Sequence, residues 1–419
     1  MVLALGGDGI TVSAYIESFP TVQFALTMKS AGISVFAQLI RLLPMADFEG
    51  LASRHTKFFC NSRKFTARDY FTAILFGQLS GATSLRELVL GLEAAGGKMF
   101  HTGSKAMKLS TLAYNNNIAN PRLFRDFYYQ FLHRVQNEIG LNLDPRFTQP
   151  LYSLDSTTIT LGCQLYSWAN YKRERAGIKL HVALSNETEM PAVTVVSVAK
   201  KADVKWAKAV IMQLPFCCTV VMDRGYNDYA LFMWLNERGT TFVTRLKKNA
   251  LHTPFMKNEI SRSKTWGDYR IRFTSKDAQK ACGQMQWRVV QWFDEASNRW
   301  FEFLTNDLKI PAEVVAELYR QRWKVELFFK KLKQNLVVKS FYGTTANAVH
   351  SQIWIALTAT LLLELVRRRS AHSWSYKTLA WVIRQNLWGY QNLNKILSRE
   401  KICEETKVAT TLAQLSLDL

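Results

Sequence analysis

Apolar residues recur at three- and four-residue spacing through the first third of the chain and then give way to short β-branched runs, so the pattern itself divides the sequence. From Phe36 to about Ile139 the period is helical. Phe65–Leu79 carries one apolar stripe, Gly81-Ala82-Thr83 interrupts it, and Ser84 stands where an N-cap would open a helix over Leu85–Leu92. Leu109–Ile118 and, after Asn120-Pro121, the longer run Arg122–Ile139 repeat the arrangement. These are helix, turn, helix outlines whose Asn and Arg residues suit phosphates or base edges. Helical pairs are common, so the outline alone leaves DNA contact and plain structure equally open. Residues 1–27 show no sustained period and read as a flexible tail or an over-extended start.

The character changes at Pro145. Leu151–Leu161, Ile178–Leu184 and Ala192–Val198 are strand-like, Lys201–Met212 is helical, Cys218–Met222 is a strand, Asp228–Glu237 a helix and Thr241–Arg245 a strand. The order βββαβαβ predicts a mixed sheet flanked by helices, an α/β fold. Between Leu246 and Thr305 the alternation of Tyr269–Phe273 and Gln286–Val289 predicts an inserted antiparallel sheet. No proline follows Pro311, so the last quarter should be mostly helical. Its longest apolar run, Ile353–Val366, is interrupted by Glu364 and is shorter than the ~20 residues that span a bilayer, which predicts a buried core helix and no membrane association.

Charge changes this picture. The 419 residues carry 54 Lys+Arg against 33 Asp+Glu, a net +21, which points to a polyanionic partner, nucleic acid before an anionic membrane. The start of the chain lacks the basic flank of a secretory signal, which predicts a cytoplasmic, nucleoid-associated protein. The six cysteines form no CxxC pair and have no histidine at zinc-finger spacing, so reduced, structural thiols are expected.

Three carboxylates stand out. Asp155 interrupts the apolar strand Leu151–Leu161, where aspartate is a poor residue and burial is costly without a partner. Alone it reads first as a satisfied strand-end residue. Asp223 repeats the oddity at the end of Val220-Val-Met-Asp-Arg-Gly-Tyr226, the strand end where open α/β sheets place ligand contacts. The third is Glu326, on a helix predicted after Pro311. At ~100° per residue Arg322, Glu326 and Lys333 fall at roughly 300°, 340° and 320° from Tyr319, one stripe of about 60°. Val325, Phe328, Phe329, Leu332 and Leu336 form the adjacent apolar face. A solvated basic helix, with Glu326 pairing Arg322 and Lys330, is the plain alternative. Two strand carboxylates and one helix carboxylate suit Mg²⁺, or Mn²⁺, as hard oxygen ligands. Two such ions ~3.5–4 Å apart could drive an in-line phosphodiester displacement.

On Tyr319, Arg322, Glu326 and Lys333, with Asp155 and Asp223-Arg-Gly-Tyr226, the sequence resembles the bacterial insertion-sequence transposases of the DDE type, in the subgroup with the Tyr-x2-Arg-x3-Glu-x6-Lys signature. The resemblance covers roughly Phe36 to Arg369. It implies a ribonuclease-H-like catalytic core, with Asp155, Asp223 and Glu326 as catalytic metal ligands for two Mg²⁺ ions, and Tyr319, Arg322, Lys330, Lys333 and Arg224 on the DNA. It also implies a homodimer on double-stranded transposon ends and target DNA, and cut-and-paste transposition. The expected organisation is a leader (1–27), an all-α DNA-binding domain (28–140), a core (141–245 with 306–369), a β-rich insertion (246–305) and a C-terminal helical segment (370–419). Relatives with the insertion can stack a tryptophan on a flipped base; Trp266, Trp287, Trp292 and Trp300 are equal candidates. His181 is expected to be core or to pack behind the site. Two other readings remain, an immobilised relative that acts as a nuclease and a basic DNA-binding regulator whose carboxylates are structural.

Overall fold

The helical pattern folds into α1 (Val35–Arg41), α2 (Met45–Arg54), α3 (Ala67–Ser80), α4 (Leu85–Glu93), α5 (Leu109–Ile118) and α6 (Pro121–Ile139). The computed structural model describes residues 32–55, 65–140, 144–254, 261–262, 266–295, 297–335 and 340–398; the leader, Cys60, Lys257, Lys264, Leu336, Lys339 and Cys403 lie outside the described residues. Local chemistry sets the helix starts. Thr66 and Asp69 form a reciprocal capping box on α3, the Ser84 hydroxyl accepts from the Glu87 N–H at 3.2 Å to open α4, and the Asn120 side chain accepts from the Arg122 N–H with Pro121 in the first turn of α6.

The sheet follows: β1 (Leu151–Leu161), β2 (Asn170–Lys172), β3 (Arg175–Ser185), β4 (Met190–Val198), α7 (Val204–Ile211), β5 (Thr219–Met222), α8 (Tyr229–Glu237) and β6 (Thr241–Arg245). β1 pairs antiparallel with β3 and parallel with β5, and β5 pairs parallel with β6. The short β2, absent from the sequence reading, pairs with β3. The fold is thus the mixed α/β sheet flanked by helices that the pattern implied.

The stretch after β6 holds β7 (His252–Pro254), β8 (Ser261–Arg262), β9 (Trp266–Phe273), α9 (Lys276–Cys282), β10 (Trp287–Asp294) and β11 (Arg299–Thr305). It does not form a sheet of its own. β11 returns to the open edge of β6, with Phe303 opposite Arg245 and Thr305 opposite Val243, so the strand order runs β2-β3-β1-β5-β6-β11-β10-β9-β7. An unpaired edge of β6 would leave its backbone groups unsatisfied, and the returning strand covers it.

Both faces of the central strands are apolar because helices cover both. Val220 and Met222 face Leu231, Phe232 and Trp287 on one side, while Val221 and Val243 face Val315 and Leu318 on the other. The remaining helices are α10 (Ala312–Gln321), α11 (Trp323–Asn335), α12 (Ala346–Arg369), α13 (Tyr376–Asn386) and α14 (Leu393–Ser398). α12 is long and apolar enough to cross a membrane, yet 94% of its apolar window is buried inside the protein. Its Glu364 is held by Arg367 and Arg368. One core joins Phe124 and Phe127 of α6, Ile355 and Leu362 of α12, Leu180 of β3 and Phe329 of α11. The N-terminal helices therefore share their core with the helix that bears Glu326. Phe36 of α1 also packs edge-on against Trp388, and its helix is capped by the Leu387 and Gly389 carbonyls.

Candidate functional site

The last parallel pair between β1 and β5 is Leu154 with Met222, so the residues that follow, Asp155 and Asp223, stand side by side at the carboxyl end of β5. β1 continues past that point paired to β3, with Asp155 opposite Val182. Asp223 begins a tight turn in which its Oδ1 accepts from the Gly225 N–H at 2.8 Å, and a side chain at Gly225 would press on that carboxylate. Asp228 then caps α8.

Glu326 comes from α11, which lies along β1 on the face that carries Ser153 and Asp155. The single helix expected to hold Tyr319, Arg322, Glu326 and Lys333 is in fact two. α10 ends at Gln321, and the chain tightens at Arg322, where the Arg322 N–H bonds the Tyr319 carbonyl (3.1 Å) and the Val325 N–H bonds the Arg322 carbonyl (3.2 Å). The cause is local. The Gln321 carbonyl, which an unbroken helix would offer to Val325, accepts instead from Asn186 Nδ2 (3.1 Å), whose Oδ1 accepts from the Ser153 hydroxyl (2.8 Å) that also lies 3.3 Å from the same carbonyl. Neither Ser153 nor Asn186 was singled out in the sequence; a buried serine two residues before Asp155 was the available signal.

This break sets Arg322 between the carboxylates. Its Nη1 lies 3.4 Å from Asp155 Oδ2 and its Nη2 donates to Glu326 Oε1 at 2.6 Å. Burial is the main reason the Asp155 carboxyl is pushed up to about 6; the Ser156 N–H bond and Arg322 oppose this, while Asp223 and Glu326 add to it by like charge. Asp155, Asp223, Glu326 and Arg322 are thus brought together. The Arg322 guanidinium also stands 5.6 Å from the Tyr319 ring, which packs on Phe303 at 4.7 Å. Lys333 donates to the Thr158 carbonyl at 3.0 Å, three residues along β1 from Asp155. Lys330 is exposed and Arg224 half-buried.

Behind Asp155, Ser156 pairs across the sheet with His181. His181 is buried, 2.9 Å from the Ser197 hydroxyl and stacked on Trp206, and burial pushes it down to about 4, so it is a neutral packing residue. Tyr226 is buried, and burial together with Asp155, Asp203 and Asp223 raises its hydroxyl well above the ordinary range. Of the four tryptophans, Trp287 is fully buried in the core, Trp266 and Trp292 face each other across β9 and β10, and Trp300 is half exposed.

Among the described residues, no three His, Cys, Asp or Glu side chains are gathered closely enough to enclose a metal ion, and Arg322 lies between two of the three carboxylates. The donor set nevertheless fits a divalent cation. All three carboxylates are half-buried, and like charge on Asp223 and Glu326 helps raise Asp155, which a hard cation would relieve.

The chain is similar to the probable transposase for insertion sequence element IS5377 of Geobacillus stearothermophilus, 37% identical over 220 residues, which is 52% of this chain and 57% of that protein. It is 30% identical over 220 residues to the transposase-named protein y4zB of Sinorhizobium fredii, covering 51% of this chain and 60% of that one. The chain thus matches less than two thirds of these relatives' lengths. Among solved structures, the piggyBac transposase synaptic complex with hairpin DNA shares 13% identity and a TM-score of 0.40 over 88% of this chain and 80% of that one. Residues 31–105 match a domain of unknown function (DUF4372). Residues 146–362, just over half of the chain and inclusive of all three carboxylates, match the transposase DDE domain model. The chain therefore belongs to the transposase DDE domain family.

Proposed function

We propose that the chain is a DNA transposase of the Tyr-x2-Arg-x3-Glu-x6-Lys subgroup, which binds the terminal inverted repeats of its element and catalyses strand cleavage and strand transfer. One observation carries this reading: Asp155 and Asp223 each directly follow the last residue pair of the adjacent parallel strands β1 and β5, and Arg322 ties Asp155 to Glu326 on α11. Asp155, Asp223 and Glu326 would hold Mg²⁺, or Mn²⁺, in a pair. When bound, the ions supply Lewis acidity toward the scissile phosphate and its leaving oxygen.

The chain's own residues orient the DNA. Arg322, beside the Tyr319 ring, presents a planar fork suited to a phosphate, and Lys330, Lys333 and Arg224 surround the carboxylates with positive charge. The apolar packing under α11 keeps Glu326 facing β1. Residues 28–140 would read the transposon ends, 246–305 would extend the DNA-binding surface from the sheet edge, and the catalytic core comprises 141–245 and 306–369. A homodimer would hold two ends, acting in the cytoplasm on the nucleoid.

The test uses purified full-length protein and duplex DNA taken from the flanks of its coding region. Asp155→Ala, Asp223→Ala and Glu326→Ala should each abolish Mg²⁺-dependent end cleavage while retaining binding to the same duplex. Cleavage that persists in any of the three overturns the assignment of that residue.

A further inference from the structure

The Arg322 guanidinium sits in a seat that a metal would also need. It bridges Asp155 and Glu326, and its side chain is only 16% exposed. A divalent ion bound through the same oxygens would meet a buried positive charge within a few ångströms, so both cannot occupy the seat at full strength. The seat also leaves the arginine incompletely satisfied, because its Nε is buried without a hydrogen-bond partner.

The backbone beneath is built for a change of side-chain direction. Arg322 lies at the junction of α10 and α11, where three-residue hydrogen bonds replace the four-residue ladder. Asn186 and Ser153 hold the Gln321 carbonyl on one side of the junction, and on the other Val325, Phe329 and Leu332 pack α11 into the core. Both helices are anchored independently, and Arg322 can leave the carboxylates without unwinding either.

We infer that Arg322 is an exchangeable counter-ion: it neutralises Asp155 and Glu326 in the metal-free protein, and on assembly with DNA the metal takes the carboxylates while a DNA phosphate takes the guanidinium. The inference rests on the reading of Asp155, Asp223 and Glu326 as metal ligands. Its consequence is reciprocal coupling: metal alone binds against the resistance of Arg322, DNA removes that resistance, and each ligand tightens the other.

The experiment is calorimetric titration of Mn²⁺ into the full-length protein, with and without a blunt-ended duplex oligonucleotide. Without DNA, Arg322→Ala and the uncharged, similarly shaped Arg322→Gln should bind Mn²⁺ roughly tenfold more tightly than wild type. Duplex should tighten Mn²⁺ binding to wild type by a similar factor and leave both variants nearly unchanged. Equal or weaker Mn²⁺ binding in the variants, or no coupling in wild type, overturns the inference. Wild-type coupling needs no variant, so a poorly folding substitution does not protect the idea. Asp223→Ala, which leaves Arg322 and its two partners in place, separates the two levels. If it binds Mn²⁺ as wild type does, the metal-site reading fails. If it loses Mn²⁺ while the Arg322 variants bind no tighter, that reading stands and the exchange falls.

Discussion

The Tyr342 phenol lies directly over the bare Cα of Gly77, with its hydroxyl donating to the Ala82 carbonyl at 2.8 Å. A Cβ at Gly77 would collide with the Tyr342 hydroxyl and stand 2.7 Å from Leu88 Cδ1, and both neighbours are buried. Gly77 thus allows α3 to meet α4 and the segment that follows α11. Gly77→Ala should cost about 1–3 kcal/mol in a urea melt, and Tyr342→Phe in the same chain should recover part of it. A Gly77→Ala variant as stable as wild type would show that the contact relaxes freely.

Ser153 tests the helix break. Without its hydroxyl, the Gln321 carbonyl is partly released to Val325, and Arg322 should drift from Asp155. Ser153→Ala is expected to lose about 1 kcal/mol of stability and to slow metal-dependent cleavage at least tenfold. Full activity in Ser153→Ala and in Asn186→Ala would mean that the break needs neither side chain.

Asp155 gives the pH dependence. Its carboxyl sits at about 6 in the folded protein against an ordinary 3.8, mainly through burial, so the native state keeps a proton that the unfolded chain has released. The contribution is fully present below 3.8 and is lost as pH rises through 6. In chelator-treated protein, Asp155→Asn should therefore be more stable than wild type by about 1–3 kcal/mol near neutral pH, and the advantage should vanish toward the unfolded value. Urea midpoints across that range decide it; an advantage independent of pH counts against the titration.

Lys333 links α11 to β1 through the Thr158 carbonyl, and we expect it to exchange that acceptor for a DNA phosphate. Lys333→Ala should weaken duplex binding and reduce its salt slope by about one unit. An unchanged slope in a fluorescence-anisotropy titration removes it from the phosphate contacts.

Much of the fold was legible along the chain because its cues are local. The bounds of β1 and α5 coincide with the sequence pattern, and the caps at Ser84 and Asn120 are written in neighbouring residues. Asp155 and Asp223 were visible because a carboxylate within an apolar strand violates the pattern, and Glu326 because it is the lone acid in a basic run. What stayed hidden depends on distant partners. β11 begins at Arg299, 54 positions after β6 ends at Arg245, and nothing local announces that edge. Helical periodicity carried straight through Arg322, since the bonds that break it come from Ser153 and Asn186. The same limit applied to Gly77, whose reason for lacking a side chain is Tyr342.

The capping of α1 by the Leu387 and Gly389 carbonyls has a consequence for synthesis. Gln38 reaches the Gln391 carbonyl, 353 positions away, so the seat of the first described helix, begun against Phe76, is completed only once the residues near Gln391 have been made. Phe36 and Phe76 meanwhile lack Trp388 as a cover. Contacts of such separation form late in folding. A growing chain would therefore complete the seat of α1 only after Arg322, Glu326 and both aspartates have been made.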